Sequence, residues 1–89
     1  IQENASKDVL IDLENFFNNL APMNENLYLH TLEGKDDMPA HIKTALTNTN
    51  LSLSVIGNSL KLGTWQGIYL FEHRTNSHKR SIFCHIFGE

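Results

Sequence analysis

Residues 51–62 read Leu-Ser-Leu-Ser-Val-Ile-Gly-Asn-Ser-Leu-Lys-Leu, and this stretch decides the fold class. Leu51, Leu53 and Val55 alternate with serines, which is the period of two that a β-strand requires. The dipeptide Gly57-Asn58 follows, and it favours the tight turn of a hairpin. We therefore predict two antiparallel strands, over residues 51–56 and 59–62.

Two helices are predicted before this hairpin. Over residues 6–20 the apolar side chains recur at helical spacing and form one broad face. The members of this face are Val9, Leu10, Leu13, Phe16, Phe17 and Leu20. Ser6 is a suitable N-cap, and Pro22 ends the helix. After a loop over residues 23–36, Asp37 is placed to cap a second, shorter helix that ends in the polar run 47–50.

Two more strand-like runs follow the hairpin, over residues 67–72 and 80–87. The last run is apolar on both faces, which predicts a strand covered by a helix or by a partner subunit. Its Cys84 is expected to be a buried structural thiol, and a single cysteine favours a reducing, cytoplasmic compartment. Two helices followed by about four mostly antiparallel strands predict an α+β fold in a single domain over residues 1–89.

The composition excludes several classes of protein. The chain has 89 residues, of which 19 % are charged and 40 % hydrophobic, and its net charge is −3. It is too apolar for a disordered chain, and its scattered basic residues predict no nucleic-acid partner. No apolar run approaches the ~20 residues of a membrane span, so no membrane is expected. What remains is a small globular domain, a size that favours oligomerisation.

The most distinctive string in the chain is Gly-Thr-Trp-Gln-Gly at residues 63–67. It occurs together with Phe16-Phe17, Glu33-Gly34, the run 36–43 and Glu72-His73-Arg74. In order and spacing, the chain resembles the YjbQ-like family, also called the secondary thiamine-phosphate synthase family. Compared with that family it lacks the N-terminal strands and a histidine before residues 2–4. The chain is therefore expected to be one N-terminally incomplete YjbQ-like domain.

The resemblance implies a sandwich-like fold that assembles as a homotrimer with clefts between subunits. It also implies a weak thiamine-phosphate synthase activity, a transferase reaction whose physiological role is unsettled. That reaction joins a pyrimidine diphosphate to a thiazole phosphate and releases pyrophosphate, so a small phosphorylated heterocycle is the expected ligand. The alternative is a non-enzymatic trimeric ligand-binding or scaffold protein, such as a truncated inactive copy.

Two histidines in polar surroundings are the candidate metal ligands. His30 lies in the predicted loop and His41 on the second helix. Neutral imidazole binds zinc, and catalytic zinc sites usually have three protein ligands and a water. The spacing alone is a weak motif, and the resemblance strengthens it. In the competing interpretation His41 bonds a neighbouring loop and His30 is solvated. A divalent metal, Zn or Mg, is the expected cofactor.

Carboxylates near these histidines complete the predicted catalytic group. His41, Glu33 and Glu3 are the predicted catalytic residues, because a carboxylate can orient an imidazole or act as a general base. The predicted substrate-binding residues are Asn4, Asp37, Lys43, Thr64, Trp65 and Gln66. For Asp37 a helix cap is the competing role.

The remaining substrate-binding candidates also have competing structural roles. Lys43 could hold a phosphate as a point charge or be a solvated lysine. Trp65 could stack on a ring or pack in a core, and Gln66 could read the edge of a pyrimidine. Arg74 and Arg80 are further phosphate candidates, or surface charges.

Overall fold

The computed structural model describes residues 6–89. Helix α1 spans Lys7–Leu20, a single 3-10 turn spans Glu25–Leu27, and helix α2 spans Asp37–Leu46. Strands β1 (Val55–Ile56) and β2 (Ser59–Leu60) form a two-stranded antiparallel sheet. Two helices followed by a small antiparallel sheet confirm the predicted α+β class.

Helix α1 begins at the predicted cap. The side chain of Ser6 accepts a hydrogen bond from the backbone N–H of Val9 at 3.4 Å, which satisfies one of the unpaired amides of the first turn. On the apolar face, the ring of Phe17 packs edge-on against Phe71 with centroids 5.3 Å apart. This contact holds the segment that leads to His73 against α1.

The hairpin has the predicted turn but shorter strands. Val55 pairs with Leu60 and Ile56 with Ser59. Gly57 and Asn58 have φ angles of 59° and 64°, in the left-handed region that a type I′ turn requires at both positions. Each strand has two residues. The predicted extents, 51–56 and 59–62, are therefore too long.

The runs 67–72 and 80–87 are not strands in the part of the chain that the structure describes, contrary to the prediction. They carry no strand assignment apart from an isolated bridge at Gly67. Alternation expresses a preference for extended backbone, but a strand also needs a neighbour to pair with its N–H and C=O groups. Residues 6–89 provide no such neighbour, so they contain two strands rather than about four.

The C-terminal segment leaves its apolar side chains in solvent. Phe83 is 96 % exposed and Phe87 89 %. Cys84 is also exposed, so the predicted burial of its thiol is wrong, because nothing among residues 6–89 covers its strand-like run. The radius of gyration is 16.1 Å, which is larger than the about 12 Å of a compact domain of this length.

The buried residues cluster around the start of α2. Pro39 and Ala40 are buried there, and Ala21 is buried at the end of α1. Three charged side chains are buried as well: Asp36, Asp37 and Lys43. Buried charges are costly unless they are paired. The packed centre of this chain is therefore also the place to look for chemistry.

Candidate metal centre and its cleft

The first turns of α2 bring three candidate metal ligands together. Asp37 and His41 lie one turn apart on the same helix face, and His41 Nε2 is 3.2 Å from Asp37 Oδ2. His30 reaches the same carboxylate oxygen from the preceding loop, with its Nε2 at 2.8 Å. The ligand atoms of His30, Asp37 and His41 all lie within 4.8 Å of one another. We call these three residues the ligand triad.

The carboxylate is the buried member of the triad. The side chain of Asp37 is 6 % exposed, whereas those of His30 and His41 are 43 % and 60 % exposed. Burial raises the pKa of Asp37. The hydrogen bond from His30 and the charges of His41 and Arg74 lower it by more, so the net shift of this pKa is downward. Asp37 is therefore ionised at neutral pH, as a metal ligand must be.

Arg74 holds the triad carboxylate from its other side. Its Nη1 lies 3.0 Å from Asp37 Oδ1, which leaves Oδ2 to face both imidazoles. Its Nε donates to Asp36 Oδ2 at 3.0 Å, and its Nη2 donates to the backbone carbonyl of Glu33 at 3.2 Å. One guanidinium thus joins the loop before α2 to the first turn of that helix.

Asp36 occupies the N-cap position of α2, which corrects the predicted capping role of Asp37. Asp36 makes no side-chain capping bond, because its Oδ2 accepts from Arg74 and from the N–H and hydroxyl of Thr75, the latter two at 2.9 and 3.2 Å. The bonds from Arg74 and Thr75 outweigh burial and hold the pKa of Asp36 well below its usual range. Asp37 is the first helical residue.

The loop that carries His30 is shaped by Gly34. Gly34 has φ = 107°, a conformation that residues with a Cβ rarely adopt. A Cβ there would also approach Asp36 Oδ1 to 3.1 Å. The backbone N–H of Asp37 donates to the Gly34 carbonyl at 3.3 Å, so this turn leads directly into the helix.

The triad fits a divalent cation. Two imidazole nitrogens and one carboxylate oxygen are a donor set of catalytic zinc sites, which keep a further position open for water or substrate. The two imidazole nitrogens lie 2.8 and 3.2 Å from Asp37 Oδ2, somewhat inside the roughly 3.3 Å edge of a tetrahedron with 2.0–2.1 Å bonds, so a small outward shift of His30 would admit the ion. Magnesium prefers oxygen ligands, so these residues suit zinc better than magnesium.

A cleft of about 280 Å³ adjoins the triad. Asp37 and His41 line one part of it. The remaining lining residues are Ala40, Thr44, Leu70, Phe71, Glu72, His73, Arg74 and Arg80. The cleft therefore combines Asp37 and His41 of the triad with two guanidinium groups and a short apolar wall.

His73 is the least solvated imidazole of this cleft. Its Nδ1 is buried without a hydrogen-bond partner in the described part of the chain, and its Nε2 is 3.4 Å from Thr47 Oγ1. The Thr47 hydroxyl donates its proton to the Lys43 carbonyl at 2.7 Å, so Oγ1 can only accept from His73. Burial, followed by the nearby charge of Lys43, lowers the pKa of His73. His73 is therefore neutral with its proton on Nε2.

Lys43 is buried on the second helix, one turn before Thr47. Its Nζ donates to Asn18 Oδ1 at 2.9 Å, which ties α2 to α1. Lys43 does not line the cleft. Its predicted phosphate contact stays a prediction, and in the structure the side chain joins the two helices.

The structure brings some of the predicted site residues together and leaves others apart. Glu33 is exposed and reaches the site through its backbone carbonyl, which accepts from Arg74. Thr64, Trp65 and Gln66 do not line the cleft, and Trp65 is 69 % exposed. Gln66 Oε1 accepts a hydrogen bond from the Gly63 N–H at 2.6 Å, so this side chain closes the turn over residues 63–66. The predicted sites at Glu3 and Asn4 lie outside the described residues.

The pairing of three charged residues in this site was not predicted. The quoted strings contain Arg74, Asp36 and Glu72, but nothing in their spacing identifies which of them pair. The one available signal is the adjacency of Asp36 and Asp37. Two neighbouring carboxylates need a counter-charge, and the sequence does not say that it comes from Arg74.

The described helices have 14 and 10 residues, and neither is long and apolar enough to cross a bilayer.

The fold and the site define the class first: a small α+β protein with a buried carboxylate held between two histidines and an arginine. The sequence model of the family described as "UPF0047 protein YjbQ-like" matches residues 1–89, and the chain belongs to this family. The curated relatives described next are named only as members of this family. The predicted family membership is confirmed.

Three curated relatives illustrate matches over the whole length of the chain. It is 51 % identical over 89 residues to UPF0047 protein sll1880 of Synechocystis and covers 60 % of that protein. It is 44 % identical to UPF0047 protein YjbQ of Escherichia coli O157:H7 and covers 64 % of it. A third relative, UPF0047 protein MJ1081 of Methanocaldococcus jannaschii, is 37 % identical, and the chain covers 61 % of it. The chain thus spans about three fifths of these relatives' length. No solved structure gives a significant match.

Proposed function

We propose that this chain is part of a metal-assisted enzyme that acts on a small phosphorylated heterocycle. The convergence of His30, Asp37 and His41 beside a cleft carries the proposal. The proposed reaction is of the thiamine-phosphate synthase type. The bond between the pyrimidine's carbon and its diphosphate breaks, the thiazole phosphate supplies the electron pair of the new bond, and pyrophosphate leaves.

The triad would hold the metal through the two Nε2 atoms and Asp37 Oδ2. A divalent cation in this place supplies positive charge that stabilises a departing pyrophosphate. Arg74 contributes to the lowered pKa of Asp37, and its contact with Oδ1 leaves Oδ2 facing the histidines. Arg74 is therefore a positioning residue, and its role resembles that of the outer partners that orient ligands in metal sites.

Charge stabilisation is the main demand of pyrophosphate departure, and the cationic residues of the cleft support the proposal. Arg74 and Arg80 line the cleft, and Leu70 and Phe71 provide an apolar surface for a ring. The volume of about 280 Å³ suits a small ligand. The predicted catalytic roles of Glu33 and Glu3 remain predictions, and of the two only Glu33 lies among the described residues.

Cobalt titration followed by absorption spectroscopy tests the metal site. The purified protein is expected to bind about one Co²⁺ per chain with tetrahedral absorption bands, and His41→Ala should abolish those bands. His85→Ala is the matched control, because His85 is exposed and outside the triad. Equal binding by the wild-type and His41→Ala proteins would remove the triad from the proposal.

A synthase assay tests the reaction. With a pyrimidine diphosphate and a thiazole phosphate, we expect thiamine phosphate formation that falls at least about tenfold in His41→Ala and stays unchanged in His85→Ala. Metal binding without any product would keep the metal site and reject this reaction.

A second candidate is a non-enzymatic homotrimeric ligand-binding or scaffold protein. The exposed apolar side chains at Phe83 and Phe87 and the large radius of gyration favour an assembly in which other surfaces cover this segment. Sedimentation equilibrium measures the state directly. A trimer that binds neither Co²⁺ nor pyrophosphate would support the scaffold, and a stable monomer would reject it.

A further inference from the structure

The cleft contains a second charged pair that the metal proposal does not use. Arg80 Nε donates to Glu72 Oε2 at 2.6 Å, and Arg80 Nη2 donates to Glu72 Oε1 at 2.6 Å. Two parallel bonds of this kind are the geometry with which a guanidinium binds a carboxylate or a phosphate ligand. Glu72 thus occupies the place that an anionic ligand would take on Arg80.

This pair is accessible from the cleft. The side chains of Arg80 and Glu72 are 41 % and 35 % exposed. Both residues line the same cleft as Asp37 and His41. Within residues 6–89, the structure gives Arg80 Nη1 no hydrogen-bond partner. Arg80 therefore has a donor to spare on a surface that a ligand can reach.

The other arginine of the cleft, Arg74, is less exposed than Arg80, and each of its donor nitrogens has a partner. Arg74 is 25 % exposed, and its Nε, Nη1 and Nη2 contact Asp36, Asp37 and the Glu33 carbonyl. Displacing those partners would leave two buried carboxylates without their counter-charge. Arg80 is the cleft cation whose partner can be exchanged at small cost, because Glu72 can return to water.

We infer that Arg80 is an anion-binding residue of the cleft and that Glu72 is a built-in competitor that an incoming phosphate group displaces. This inference deepens the proposed function and rests on it for the identity of the anion, a diphosphate bound in the cleft that Arg80 shares with Asp37 and His41. A diphosphate carries more negative charge than a carboxylate, so it competes well for the guanidinium. Glu72 Oε1 also accepts the backbone N–H of Arg74 at 3.1 Å, a local bond that the carboxylate can keep, or exchange for water, when the anion takes its place on Arg80.

The test is calorimetric titration of the purified protein with inorganic pyrophosphate in a chelator-containing buffer without added metal. Two variants should move the affinity in opposite directions. Arg80→Gln is expected to weaken binding about tenfold or more, since a charge-assisted bidentate contact is lost. Glu72→Gln is expected to strengthen binding by about threefold or more, because the competitor is weakened. Arg80→Lys keeps the positive charge but cannot make two parallel hydrogen bonds, so its pyrophosphate affinity should lie between those of the wild type and Arg80→Gln.

Matched controls remove the effect of net charge. Lys79→Gln and Glu14→Gln make the same charge changes at exposed positions outside the cleft, and each should alter the affinity by less than about twofold. Thermal melting of every variant, without ligand, shows whether the fold is intact.

Opposite shifts in Arg80→Gln and Glu72→Gln support the inference. Weaker binding in both variants, accompanied by lower melting temperatures, would show that the pair only braces the cleft and would overturn it. Absence of pyrophosphate binding by the wild-type protein would overturn it as well. The titration contains no metal, so these failures leave the cobalt result on the triad intact, and the two proposals can fail separately.

Discussion

The start of α2 and the Gly63–Gly67 segment differ sharply in what they contribute. The Gly63–Gly67 string is the most distinctive in the sequence, yet its Trp65 is 69 % exposed and its Gln66 bonds only within its own turn. Asp36 and Asp37 are common residues, yet each is buried and each bonds a residue from the C-terminal half. A rare string therefore identified the family, while ordinary carboxylates organise the described site.

The largest expected effect is at Asp37. Asp37→Asn removes the only carboxylate of the triad and the partner of Arg74 Nη1. We expect Co²⁺ affinity to fall by about 100-fold or more, because a ligand is lost along with its charge. Competition titration against a chelator measures the change. Asp12→Asn, on the exposed side of α1, is the control. An affinity within about twofold of wild type would place the metal elsewhere.

The next largest effect is at Arg74. Arg74→Gln should lower Co²⁺ affinity about 10- to 100-fold, the range typical of an outer partner of a ligand. The melting temperature should also fall, because Asp36 and Asp37 lose their counter-charge while buried. Arg74→Lys should recover part of the affinity. A lower melting temperature with unchanged metal affinity would make Arg74 a structural brace alone.

A smaller effect concerns pH and the Glu72–Arg80 pair. The hydrogen bonds from Arg80 lower the pKa of Glu72 from 4.5 to about 2. Because the folded state favours the ionised carboxylate, the pair stabilises the folded state above pH 4.5, and this contribution is lost as the pH falls from 4.5 to about 2. In urea unfolding, the free energy of unfolding of the wild type should therefore exceed that of Glu72→Gln at pH 6, and the difference should shrink as the pH approaches about 2. A difference that does not change with pH would mean that the pair contributes little through its charge.

The smallest effect is expected in the Gly63–Gly67 segment. Trp65→Ala should change the free energy of unfolding by no more than about 0.5 kcal/mol, since most of the side chain is in solvent. Co²⁺ affinity should not change. Urea unfolding and the same cobalt titration check both values. A loss of about 2 kcal/mol or more would show that Trp65 is covered in the native assembly, and the contrast between the two regions would then disappear.

Much of the local structure was predictable from the sequence. The helical period over residues 6–20, the Ser6 cap and the Gly57-Asn58 turn are all present in the structure. These features depend on residues within a few positions of each other, so short-range patterns suffice to predict them. Of the predicted site residues, the structure brings His30 and His41 together on either side of Asp37, and their roles stay predictions.

The failures occurred where an outcome depends on a distant partner. The runs 67–72 and 80–87 have the alternation of strands, but the described residues offer them no neighbour to pair with. Cys84 was expected to be buried for the same reason and is exposed. Asp36, not Asp37, holds the cap position, and its carboxylate makes no capping bond because Arg74 and Thr75 bind it from almost forty residues away.

The sequence by itself determined the α+β class, the helix start at Ser6, the hairpin turn and the family. Each is encoded in local spacing or in a rare string, and no distant contact is needed to recognise it. Only the tertiary structure decided that Arg74 directs Asp37 toward two histidines and that Glu72 occupies the fork of Arg80. The physical reason is that ion pairs form between groups that the fold brings within about 3 Å, and charge alone does not tell which of the chain's many acids and bases will meet.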